Sequence, residues 1–124
     1  TGFGLLGHLR EMMEGSGLGA RIYKSKVPVI EGTLDLLEQG IAPGGTMRNL
    51  DSLKSTVLWD KEISENDKIL LCDAQTSGGL LISVDPNKAD ELQKSLSEAG
   101  TLSNQIVGKV YSPSENDPTI YVTG

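Results

Sequence analysis

Two kinds of short apolar pattern alternate along the chain, one spaced like a helix face and one dense like a strand, and neither runs long. Leu5, Leu6, Leu9, Met12 and Met13 lay one stripe along a helix predicted over 3–14, which Gly15-Ser16-Gly17 ends. Ala20-Arg21-Ile22-Tyr23 then reads as a short strand, and Val27-Pro28-Val29 leads onward, its proline forbidding a central strand there. A second helix is expected over 31–39 from Leu34, Leu36, Leu37 and Ile41, closed by Gly40. After the loop Ala42-Pro43-Gly44-Gly45, a third is expected over 47–54 with Thr46 as its N-cap.

The second half repeats the alternation. A helical turn or short helix is expected over 64–71, then the tight loop Gln75-Thr76-Ser77-Gly78-Gly79. The next segment, 80–84, has four apolar residues in five, which suits a strand covered on both faces. Asp85-Pro86 is a helix start, with Ala89, Leu92, Leu96 and Ala99 as the stripe and Gly100 as the stop. Strands over 105–111 and 119–122 flank the turn-rich Pro113-Ser114-Glu115-Asn116-Asp117-Pro118. Interleaved helices and strands predict an α/β or α+β layered sandwich, a mixed sheet with helices packed on it.

With 124 residues the chain has room for one domain, 1–124, and its 37% hydrophobic and 23% charged residues are the balance of a folding chain. The longest apolar runs, such as Ile69-Leu70-Leu71-Cys72, fall far short of the roughly 20 residues of a membrane helix, and no secretory signal is visible. A cytoplasmic protein without membrane partners is therefore expected. Seventeen Asp and Glu against eleven Lys and Arg give a net charge of −6, which repels a phosphate backbone and argues against nucleic acid as a partner. Any anionic ligand would need local cations or backbone N–H groups. One cysteine, Cys72, and one histidine, His8, allow neither an internal disulfide nor a structural zinc site. The opening Thr1-Gly2-Phe3-Gly4 starts inside a glycine-rich turn, as expected of a piece of a larger protein.

Three segments could carry function. Gly2 and Gly4 flank Phe3 just before the first helix, where N–H groups and the helix dipole favour an anion, although helix-entry glycines are usually structural. Gly44-Gly45-Thr46 repeats that arrangement with Asn49 one turn along and Arg48 beside it, and an ordinary loop with an N-cap explains it too. The Gln75-Thr76-Ser77-Gly78-Gly79 loop packs polar side chains between apolar segments. Either they satisfy a sharp turn, or they face a ligand or another domain. His8 has no Ser, Cys or Asp at a spacing that defines a nucleophilic pair and reads as a packed or half-exposed structural residue. Cys72, after Ile69-Leu70-Leu71, reads as a buried small hydrophobe.

Together, Thr1-Gly2-Phe3-Gly4-Leu5-Leu6-Gly7-His8-Leu9, Pro43-Gly44-Gly45-Thr46-Met47-Arg48-Asn49 and Asp73-Ala74-Gln75-Thr76-Ser77-Gly78-Gly79-Leu80-Leu81-Ile82 resemble the selenophosphate synthetase (selenide, water dikinase) family. The resemblance spans the chain as that family's C-terminal domain, shared more loosely with aminoimidazole ribonucleotide (AIR) synthetase and its relatives. It implies an AIR synthase-like fold in a two-domain, typically homodimeric enzyme. That enzyme turns ATP, selenide and water into selenophosphate, AMP and phosphate, with Mg2+ as cofactor. The family's magnesium-binding aspartate lies just before the position of Thr1, and its reactive Cys or selenocysteine and Lys lie on an N-terminal loop. The resemblance thus leaves this chain with no catalytic or metal-ligating residue and neither cofactor tightly bound. It makes Thr1, Gly2 and Gly4 the first candidates to face nucleotide or phosphate, then Thr46 and Asn49, then Gln75, Thr76, Ser77, Gly78 and Gly79. Ala74 stands where the family commonly has Pro. By the same resemblance the isolated domain folds but does not catalyse. Another AIR synthase-like ATP-using enzyme, or a docking module working through the 75–79 face, are the alternatives.

Overall fold

The computed structural model describes residues 1–124. In chain order the elements are α1 (Gly4–Ser16), β1 (Gly19–Tyr23), α2 (Thr33–Glu38), α3 (Gly44–Ser52), β2 (Val57–Trp59), α4 (Glu65–Leu71), α5 (Ala89–Glu98), β3 (Gly108–Tyr111) and β4 (Ile120–Thr123). Short 3-10 turns at Lys24–Lys26 and Pro86–Lys88 follow β1 and precede α5.

The four strands make one mixed sheet in the order β2-β4-β1-β3, with β4 parallel to both β1 and β2, and β3 antiparallel to β1. The register explains which face is dry. Val57, Ile120 and Ala20 lie in one row, and Trp59, Val122 and Ile22 in the next row on the same side. Leu58, Tyr121, Arg21 and Lys109 form the row between, on the opposite side because side chains alternate along a strand. There the Arg21 guanidinium sits 4.8 Å above the Tyr121 ring, a cation–π contact on the wetter face. At the β1–β3 pair, Gly108 is required by close approach, since an added Cβ would strike the Arg21 carbonyl.

Helices cover the dry face. Leu6, Leu9 and Met13 of α1 join Ala20, Ile22, Ile120 and Val122 of the sheet, with Leu53, Ile63, Leu71 and Cys72 from around α3 and α4. Each such large side chain contributes about 1.5–3 kcal/mol by leaving water. The α1 stripe expected from the sequence is this contact, with Leu5 and Met12 half-buried at its margin. Among the expected apolar residues of the second helix, Leu37 is buried, whereas Leu34, Leu36 and Ile41 are exposed. None of the helices is long and apolar enough to cross a membrane.

Two expectations are corrected, and one element is new. Segment 80–84 forms no strand. Residues 75–84 make no backbone–backbone hydrogen bond, Leu80, Ile82 and Val84 are exposed, and only Leu81 leans on the core. Apolar content signals a demand for burial but does not supply a pairing edge, and β1 and β4 already have neighbours on both sides. Thr46 is not an N-cap, because α3 starts earlier, after extended Pro43, and its first turn has no side-chain cap. Strand β2 is an addition. Only three residues long, it carries too few positions for an alternation to show.

At the start of α4, Ser64 and Asp67 form a capping box, and Lys24 reaches the Asp67 carboxylate at 2.7 Å. Burial alone would raise the Asp67 carboxyl, but Lys24 and the Ser64 hydroxyl and N–H outweigh it and hold the group below its ordinary value. A carboxyl lowered on folding adds stability above its unfolded value of ~3.9 and loses it as pH falls through the folded one. Asp67→Asn is therefore expected to cost about 1 kcal/mol in urea unfolding near pH 7, the deficit shrinking towards zero below about pH 3. An equal deficit at both pH values would contradict the assignment.

Candidate functional site

The three glycine-bearing segments, far apart in sequence, meet beside the N-terminus of α1. Asn49, on α3, donates from Nδ2 to the Gly2 carbonyl at 2.7 Å and to the Cys72 carbonyl at 3.0 Å. One turn earlier Thr46, fully buried, donates its hydroxyl to Asp73 Oδ1 at 3.2 Å and accepts the Ala74 N–H at 3.0 Å. Two side chains on one helix face thus hold both the entry to α1 and the exit from α4, as residues three apart on a helix can.

Gly4 makes the approach possible. Its φ is +69°, and a Cβ there would lie 2.6 Å from the Asp73 carbonyl oxygen and 3.0 Å from that of Cys72. Gly45 faces the same seam, where an added Cβ would come 3.1 Å from that of Ala74. The Arg48 guanidinium reaches back over Gly44 and Gly45, so the basic residue noted beside this loop does lie on it.

Outside the seam is an open depression of about 360 Å³ lined by Thr1, Gly2, Ala74, Gln75 and Thr76. The expected site residues therefore divide. Thr1, Gly2, Gln75 and Thr76 border the depression. Gly4 and Thr46 are buried and Asn49 half-buried beneath it, where they join the segments. Ser77, Gly78 and Gly79 continue the loop outward, exposed, with the Gln75 side chain lying over Gly78. Cys72 is buried, and burial pushes its thiol up to about 12, leaving a neutral sulfur that packs. No three His, Cys, Asp or Glu side chains converge on one point.

One grouping had no signature in the sequence. Thr1 Oγ1 lies 2.5 Å from His8 Nε2, and His8 Nδ1 lies 3.2 Å from Glu11 Oε2. A spacing of seven residues between hydroxyl and imidazole carries no pattern, although His8 and Glu11 at i and i+3 do share a helix face.

The AIR synthase related protein, C-terminal domain, matches residues 1–120. The chain belongs to that family. Its relatives include the selenide, water dikinase of Haemophilus influenzae (strain 86-028NP), 42% identical over 98% of this chain and 34% of the relative. That of Caldanaerobacter subterraneus subsp. tengcongensis is 45% identical over 98% of this chain and 35% of the relative. That of Bordetella bronchiseptica is 47% identical over 81% of this chain and 28% of the relative. The chain thus spans about a third of the length of these relatives.

In this AIR synthase-like C-terminal domain, removing either clamp leaves part-buried polar groups without these partners. Thr46→Val and Asn49→Ala are each expected to cost about 1–3 kcal/mol in urea unfolding. Because both secure the segment after α4, the double variant should cost less than the sum by about 0.5 kcal/mol or more. Strict additivity would show that the two bonds do not serve one junction.

Proposed function

We propose that this chain is the C-terminal domain of a selenide, water dikinase, which makes selenophosphate, AMP and phosphate from ATP, selenide and water. In this reading its three glycine-bearing segments form one wall of the triphosphate site. The observation that carries the proposal is the bridge from Asn49 to Gly2 and Cys72, which gathers those segments beside one polar depression. Similarity over nearly the whole chain to proteins bearing that enzyme's name supports it.

The lining suits phosphate oxygens better than an apolar ligand. Thr1 and Thr76 bring hydroxyls and Gln75 a carboxamide, and only Ala74 is apolar. In a chain of net charge −6, such neutral donors are how an anion would be met. Magnesium would supply charge neutralisation on the triphosphate, with its carboxylates coming from the rest of the protein. The residues of this chain position and shield. Hydroxyl and amide donors orient phosphate oxygens, and the wall held by Thr46 and Asn49 keeps them in place without reorganising as charge develops. The upstream part of the protein is the partner this face closes against, in a cytoplasmic homodimer.

Given ATP, selenide and magnesium, the 124-residue chain alone is expected to form no selenophosphate by 31P NMR. Joined to the upstream two thirds of the protein it should do so, and Asn49→Ala in the joined protein should reduce turnover about tenfold or more while the protein stays folded. In the chain alone, magnesium–ATP should shift the amides of Gly2, Gln75 and Thr76. Selenophosphate from the isolated chain, or shifts only on surfaces away from this wall, would contradict the proposal.

A further inference from the structure

Thr1, His8 and Glu11 form a hydroxyl–imidazole–carboxylate chain at the rim of the depression. The His8 ring is held on two sides. Glu11 binds Nδ1, and the Phe3 ring lies against the imidazole at a centroid distance of 5.5 Å and a tilt of 37°. A fourth contact gives the arrangement its consequence: the Phe3 backbone N–H donates to Thr1 Oγ1 at 3.3 Å.

A hydroxyl has one proton to give and two lone pairs to receive with. The Glu11 carboxylate can only accept, so it keeps the proton of His8 on Nδ1. With Nε2 bare, Thr1 donates its proton to the imidazole and accepts from Phe3, leaving a single lone pair for the depression. With Nε2 protonated, Thr1 accepts from both His8 and Phe3, and its own proton turns outward. The first state repels an oxyanion and the second offers it a donor.

We propose that His8 is a positioning residue that sets the polarity of the Thr1 hydroxyl, so that a tetrahedral oxyanion enters the depression together with one proton taken up by the imidazole from solvent. This rests on the reading of the depression as a phosphate-facing wall. Glu11 is the only carboxylate within ion-pair distance of the ring. On the neighbouring elements, Arg10 of α1 is engaged with the Ser52 carbonyl at 3.2 Å. Asp73, after α4, is engaged with Thr46, and Arg48 of α3 lies over Gly44 and Gly45. The α-amino group of Thr1 is the remaining charge at that end, and acetylation removes it.

Sulfate is the suitable probe because it stays a dianion across the range in which imidazoles titrate. His8 is the only histidine of the chain, so its ring 15N resonances report without assignment. On the N-acetylated chain, sulfate should move both ring nitrogens towards the imidazolium position. Because one proton is taken up with the anion, its affinity should rise as the pH falls, by at most about tenfold per pH unit. Thr1→Val, at an exposed position outside the core, should abolish the sulfate-induced ring shift. His8→Gln, whose amide donates at any pH, should bind sulfate without pH dependence. An Nε2 that stays bare with sulfate bound, the same ring shift in Thr1→Val, or no sulfate binding at all would overturn the proposal. If magnesium–ATP shifts Gly2 and Gln75 while the His8 ring stays still, this inference fails and the phosphate-facing wall survives. If neither responds, both fail.

Discussion

The carboxamide of Asn49 is the point on which the arrangement turns. One NH2 group serves two carbonyls, Gly2 before α1 and Cys72 after α4, and so fixes the meeting of segments separated by seventy residues of chain. Without it, the Gly2 carbonyl at the edge of the depression and the carbonyl of buried Cys72 would each lose this partner. Thr46 repeats the device one turn earlier on the same helix. The sheet and its helices supply the rigid body, and these two side chains decide how its loops are gathered.

That gathering links packing to function. A Cβ at position 4 would collide with the backbone of the α4 exit, so the glycine in the first segment is a requirement of the seam as much as of any ligand. Beneath the depression the polar groups are committed inward, and at its rim the Thr76 hydroxyl and the Gln75 carboxamide remain to meet something else, beside a Thr1 hydroxyl already shared with His8 and Phe3. In the function proposed for this domain, a wall whose support is internally satisfied and whose surface carries neutral donors would hold phosphate oxygens in fixed positions.

Much of the fold was legible in the sequence because its signals are local. The α1 stripe, the Gly17 and Gly40 stops, the Ser64 helix start and strands β1 and β4 follow from periodicity and capping chemistry. Segment 80–84 was misread because four apolar residues say nothing about which edge will pair with them. The site was legible as three motifs and not as a mechanism of assembly. Thr46 and Asn49 stood out among polar residues near a glycine pair, yet their partners lie 23–47 residues away, beyond any local pattern. The His8–Thr1 contact was hidden for the same reason, and the reading of His8 as a packed or half-exposed structural residue missed its hydroxyl partner.

The most direct measurement is amide hydrogen exchange at Ala74. Its N–H has one partner, the Thr46 hydroxyl, so protection there reports the clamp and nothing else. Ala74 should exchange much more slowly than the neighbouring loop amides of Gln75 and Thr76, and Thr46→Val should remove that protection while the interior of α1 keeps its own. An Ala74 amide that exchanges as fast as its loop neighbours in the unsubstituted chain would mean that the second and third segments are not joined as described.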